Sequence, residues 1–176
     1  MLTLLIAFVC AAFSIACSQE PQKPATLRYK VPAGWVEEER SSSMRVAQFK
    51  LPRAEGDTED ASLVLYYFGK DQGGTAANNV ERWASQIQQA NGTRAKVTET
   101  LTTSGLKMTT VDGAGTYVAE TAPGSGELLK KPGFRLSAAV IETPNGSYYV
   151  KLVGPEKTVT HWHESFVAYL KSFEFK

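Results

Sequence analysis

Ser62-Leu63-Val64-Leu65-Tyr66-Tyr67-Phe68 runs through seven residues with hardly a polar side chain. In an extended chain Leu63, Leu65 and Tyr67 fall on one side and Val64, Tyr66 and Phe68 on the other. Side chains alternate across a strand with period two, so both faces of this strand are apolar. A strand of that kind belongs inside a sheet that is covered on both sides.

The flanking segments build such a sheet. Residues 53–60 are charged and contain Gly56, a loop signature. Before them, residues 44–51 alternate, with Arg45, Ala47, Phe49 and Leu51 on one face and Met44, Val46, Gln48 and Lys50 on the other. Residues 27–31 read as a short strand ended by Pro32-Ala33-Gly34, after which Trp35 supplies a bulky anchor. On the other side, Gly73-Gly74-Thr75 opens a helix to about residue 89, with Thr75 as its N-cap. Val80, Trp83, Ala84 and Ile87 form its apolar stripe, and Asn91-Gly92 ends it. Residues 93–103 and 106–118 make a hairpin rich in β-branched side chains. Residues 134–143 and 147–153 make a second, turning at Pro144-Asn145-Gly146. A second helix follows Gly154-Pro155 with Val159, Trp162, Phe166, Val167 and Leu170 as its stripe, and residues 172–175 close the chain as a strand. Short turns between neighbouring strands imply antiparallel pairing. The expected class is α+β, a mostly antiparallel β-sheet flanked by two main helices.

The whole chain has 176 residues, 43% of them hydrophobic, with 19 Lys+Arg against 18 Asp+Glu. That length supports one self-sufficient core. A net charge of +1 argues against nucleic acid as a partner, because phosphate neutralisation needs a basic excess or stripe. Residues 1–16 carry no charge and are apolar except for Thr3 and Ser14. A helix of that length spans about 24 Å, short of the roughly 30 Å hydrocarbon core. It reads as an export signal. Ser14-Ile15-Ala16-Cys17 is similar to a bacterial lipobox, although Ser14 stands where a large aliphatic residue is usual and no Lys or Arg precedes the apolar run. Cys17 is the expected lipidation site; ordinary signal-peptidase cleavage at the same bond, and an uncleaved anchor, are the alternatives. Of the two cysteines, Cys10 would leave with the signal, so Cys17 would be alone in the mature chain. Residues 17–26 form a polar tether with Pro21 and Pro24, and residues 27–176 a single domain. The expected location is the cell envelope, on the extracytoplasmic side of a membrane, with a secreted or periplasmic soluble form as the alternative.

Val31-Pro32-Ala33-Gly34-Trp35, the strand Met44-Arg45-Val46-Ala47-Gln48-Phe49 and a terminal helix running into Ser172-Phe173-Glu174-Phe175 resemble the PsbP-like superfamily. The resemblance covers most of residues 27–176 by element order. It implies an antiparallel sheet flanked by helices and a role in binding or assembly rather than catalysis.

Chemical motifs are sparse. His161 and His163 are the two histidines. At i, i+2 on a helix they point about 200° apart and do not share a metal. Ser41-Ser42-Ser43 lacks the Gly-x-Ser-x-Gly elbow of a serine nucleophile. Asp57, Glu59 and Asp60 gather carboxylates without the spacing of a calcium loop. The turn at residues 69–75 is rich in glycine but has neither the Walker ending nor the dinucleotide spacing. No catalytic residue, metal or cofactor is therefore expected. Residues 119–133 are longer than a hairpin turn needs, and long connections in compact domains are usually functional or disordered. Leu128, Leu129, Lys130 and Lys131 within them are the candidate interaction loop, offering apolar and basic contacts to an envelope protein or an anionic membrane surface. Two functions remain open: a non-catalytic binding or assembly module, and a small-ligand carrier of the periplasm. Hydrolysis would need a polar cluster made by folding.

Overall fold

A computed structural model describes residues 26–89, 92–122 and 124–176; the apolar leader, Cys17 and the tether up to residue 25 lie outside these. In chain order the elements are β1 (Leu27–Arg28), β2 (Val36–Glu37), β3 (Arg45–Leu51), β4 (Ala61–Tyr67), α1 (Ala76–Ser85), β5 (Ile87–Gln88), β6 (Lys96–Leu101), β7 (Lys107–Glu120), β8 (Leu128–Thr143), β9 (Gly146–Pro155), α2 (Glu156–His161), α3 (His163–Lys171) and β10 (Glu174–Phe175). The main sheet runs β2-β3-β4-β9-β8-β7, with β5 and β6 sharing the far edge of β7, and β1 pairs separately with β10. Every pairing among the described residues is antiparallel. The chain therefore has an α+β fold, as the alternating patterns imply.

The two-faced strand is β4, hydrogen-bonded to β3 on one side and β9 on the other. Leu63 and Leu65 enter a core with Phe49, Leu51, Val150 and Leu152, closed by Val159, Phe166, Tyr169 and Leu170 of the C-terminal helices. Aromatic rings finish this layer: Trp35 lies 5.0 Å from Tyr169, and Tyr29 stacks on Phe173 at 5.2 Å. On the opposite face, Val80, Trp83 and Ala84 of α1 pack over Val111, Leu136, Ala138, Val140 and Tyr149. Thr75 caps α1 by accepting from the backbone N–H of Asn78. These buried stripes make burial of apolar surface, rather than helix propensity, the main source of helix stability here.

Three expectations change. Ile87 is buried with the α1 stripe, but the helix stops at Ser85 and Ile87 opens β5, where it pairs with Tyr117. The C-terminal helix is divided at Trp162, whose indole N–H donates to the Pro52 carbonyl at 2.8 Å. Most consequentially, residues 119–133 are not a long loop. Leu128, Leu129, Lys130 and Lys131 belong to β8 and pair in turn with Glu120, Ala119, Val118 and Tyr117 of β7. Pro132-Gly133 forms a bulge, marked by the register shift between Gly115 and Tyr117. A bulge tolerates proline without a ladder N–H, and Gly133 supplies the required φ of 69°. Gly115 on the partner strand is equally constrained, since a Cβ there would stand 2.5 Å from the Gln88 carbonyl oxygen.

Candidate functional site

The longer hairpin brings together side chains that lie far apart in sequence. Asp112 of β7 sits directly opposite Ser137 of β8 and, on its other side, opposite Lys96 of β6. Arg135 is two residues before Ser137, so it projects from the same face. Its Nη2 donates to Asp112 Oδ1 at 2.8 Å, and its Nε lies 3.2 Å from both carboxylate oxygens. The Ser137 hydroxyl donates to Asp112 Oδ2. Arg135 also reaches the helices: Nη1 donates to Thr160 Oγ1 at 3.0 Å, and Nη2 lies 3.4 Å from His163 Nδ1.

This polar cluster forms one wall of a cleft of about 390 Å³ between α3 and strands β6–β8. Phe166, Val167 and Leu170 supply the apolar wall, and Thr98 and Thr110 stand along the strands. The volume falls within the range of small-molecule sites, and apolar walls with a few converging polar groups are their usual lining. The order of contacts matters for chemistry. His163 meets a guanidinium, and Ser137 gives its proton to a carboxylate already held by Arg135; this is not the serine-to-histidine order that activates a hydroxyl. The arrangement can orient a polar group at the mouth of an apolar slot. A larger depression of about 720 Å³ lies around β1 and β10, but its polar groups are partly engaged internally, with Lys30 N–H on Ser172 Oγ and Ser104 Oγ on the Phe173 carbonyl.

The candidate residues from sequence are distributed differently. Leu128 and Leu129 are exposed on β8, whereas Lys131 pairs with Glu59 at 2.5 Å and lies 4.9 Å above the Phe134 ring. Lys130 is exposed. Neither leucine lines the cleft. The three carboxylates of residues 57–60 diverge: Asp57 accepts from Thr158, Asp60 from the Arg53 N–H, and Glu59 from Lys131. His161 is exposed and His163 half-buried, on separate helices. Asp112, Arg135 and Ser137 escaped sequence reading because no local motif joins them. Only the β7–β8 register does, and its bulge obscures the count.

Neither the models of known families nor the curated proteins give a match to this sequence. Among solved structures, the fold is similar to that of LpqN, described as involved in cell envelope biogenesis of Mycobacterium tuberculosis. The two share 9% identity and a TM-score of 0.56, over 89% of this chain and 86% of LpqN. This likeness places the chain among α+β domains whose architecture occurs in an envelope protein.

Proposed function

We propose that the chain is an exported, lipid-anchored envelope protein acting as a non-catalytic binding module, with its ligand seated between α3 and strands β6–β8. The observation that carries this reading is the cleft itself: an apolar wall from Phe166, Val167 and Leu170 faces the Asp112–Arg135–Ser137 cluster. The ligand it suits has an apolar body and a polar end. The architecture shared with LpqN and the lipobox-like Ser14-Ile15-Ala16-Cys17 support the envelope location. Membership of the PsbP-like group remains part of this proposal, supported by element order.

The test uses 1-anilinonaphthalene-8-sulfonate, an apolar fluorophore with a polar end. The full chain should enhance its fluorescence saturably, and Val167→Trp, which fills the slot from the half-buried rim, should abolish the enhancement without lowering the melting temperature. Unchanged fluorescence in that variant removes the cleft from the reading. Mass spectrometry of the native N-terminus tests the anchor: an acylated Cys17 is expected, and an unmodified Cys17 on a soluble product rejects it.

A second reading, docking of an envelope protein, has one observation in its favour. Leu128 and Leu129 remain 53% and 39% exposed on a strand extension that stands beyond the core. Affinity purification from the native envelope with wild type and Leu128→Ser/Leu129→Ser distinguishes the two, because loss of a captured partner is expected only under docking.

A further inference from the structure

The face of the sheet that carries α1 is only partly covered by it. Beside the helix, over β3, β4, β9 and the end of β7, lies a depression of about 240 Å³ lined by Arg45, Ser62, Tyr66, Tyr117 and Lys151 among others. Lys151 is half-buried at its centre, and its hydrogen-bond partners are neutral: Gln86 Oε1 at 2.7 Å and the Tyr117 hydroxyl at 3.0 Å. Its Nζ also lies 5.1 Å from the Tyr117 ring centroid. Arg45 lies over the Tyr66 ring at 5.6 Å and donates to Gln48 Oε1 at 2.5 Å. Arg82, close enough on α1 to act electrostatically on Lys151, donates to Asn79 Oδ1 at 2.7 Å. Among the described residues none of these three cations is in an ion pair. Glu38 enters the network through the amide of Gln48 rather than by touching a cation.

Lys151 feels the like charge of Arg82 with no counter-ion beside it, and a partly buried ammonium loses hydration as well. An oxyanion would relieve both. The Tyr66 and Ser62 side chains border the same space, and neither hydroxyl makes a hydrogen bond among the described residues. The volume is below that of a drug-sized pocket, which suits one charged group rather than a whole ligand. We propose that Lys151 and Arg45, in the field of Arg82 and with the hydroxyls of Tyr66 and Ser62, bind a phosphoryl oxyanion on this open half of the sheet. The site is distinct from the cleft under α3, on the opposite face.

Protonation supports the geometry. Burial first, and Arg82 second, lower the Lys151 pKa from 10.5 to about 8. Binding should then be strong near pH 7 and weaken as pH rises past 8, while Tyr117, whose pKa is raised by burial, stays neutral.

The test is titration of the full chain with inorganic phosphate, followed by amide NMR at constant ionic strength. Saturable shifts at Ser62, Tyr66 and Lys151 are expected, with chloride giving none. Lys151→Met should lower phosphate affinity at least tenfold, Arg45→Gln should lower it several-fold, and Lys151→Arg should retain most of it. Arg45 opens β3 and takes no part in the Lys151 hydrogen bonds, so its variant keeps the test valid if Lys151→Met does not fold. Absence of saturable shifts, equal shifts with chloride, or unchanged affinity in Lys151→Met and Arg45→Gln would overturn the proposal. Co-sedimentation with phosphatidylglycerol and phosphatidylcholine vesicles then separates the sources. Binding to the anionic vesicles that Lys151→Met removes identifies a lipid headgroup; phosphate binding without vesicle binding identifies a free or soluble phosphate ester.

Discussion

Asp57 holds Thr158 from a loop 101 residues away in sequence. Its Oδ2 accepts from the Thr158 backbone N–H at 2.9 Å and from the Thr158 hydroxyl at 2.6 Å. Thr158 is fully buried in the first turn of α2, and Pro155 offers that helix no side-chain cap. A carboxylate from a distant loop thus satisfies an orphan donor at the helix start and sits at the favourable end of its dipole. Asp57→Ala should therefore destabilise the domain by about 1–2 kcal/mol, the usual cost of a lost cap. Urea unfolding monitored by Trp fluorescence measures this, and an unchanged midpoint would reject the capping role.

Tyr169 predicts an effect of the opposite sign. Its ring is central to the aromatic layer, but its buried hydroxyl has no partner among the described residues. Removing an unpaired buried polar group avoids a desolvation cost of about 1–3 kcal/mol. Tyr169→Phe should leave the melting temperature unchanged or raise it, whereas Tyr169→Ala should lower it strongly by opening a cavity. A clear loss of stability in Tyr169→Phe would reveal a hydrogen bond to that oxygen.

The dependence of stability on pH has a definite sign. Lys151 has a folded-state pKa lowered to about 8, so between pH 8 and 10.5 the unfolded chain holds a proton that the folded chain has released. Stability rises with pH where the unfolded state binds more protons. The tyrosines act in reverse: burial raises Tyr29, Tyr117, Tyr148, Tyr149 and Tyr169, so above pH 10 the folded state retains protons that the unfolded state loses. Thermal unfolding from pH 7 to 11 should show a maximum near pH 10, and Lys151→Met should remove its rising side. A flat profile across pH 8–10 in the wild type contradicts the assignment.

Arg135 ties the sheet to the C-terminal helices through Asp112, Thr160 and His163. The pair is partly buried, with side-chain exposures of 17% for Arg135 and 32% for Asp112. Its rupture should cost more than that of a surface ion pair and less than that of a fully buried one. Arg135→Met should destabilise by about 2 kcal/mol, and the double variant with Asp112→Asn should cost less than the sum of the singles. Additive losses in that cycle would show that the two side chains are not coupled.

What could be read from sequence is what depends on neighbours along the chain. The alternation at residues 62–68, the Thr75 cap and the Pro144-Asn145-Gly146 turn all appear where local patterning puts them. Ile87 shows the limit, since its spacing satisfies the helical stripe and burial is the same, but the open edge of β7 draws its backbone into a strand. The 128–131 segment shows the limit more sharply. A dipeptide such as Pro132-Gly133 signals a loop in isolation, and only a partner strand turns it into a bulge.

Side-chain periodicity thus determined the α+β class, the interior place of β4 in the sheet and the positions of most elements, whereas α1 leaves one face of β4 partly open. Tertiary structure alone decided which polar groups meet. Asp112 reaches Arg135 through strand register, Asp57 reaches Thr158 through packing of a loop on a helix, and Lys151 acquires its setting where α1 leaves part of the sheet open. Periodicity is a property of consecutive residues and survives in the one-dimensional chain. Electrostatic and hydrogen-bonded neighbourhoods depend on distances across the fold, which register, bulges and helix placement set only when the whole domain forms.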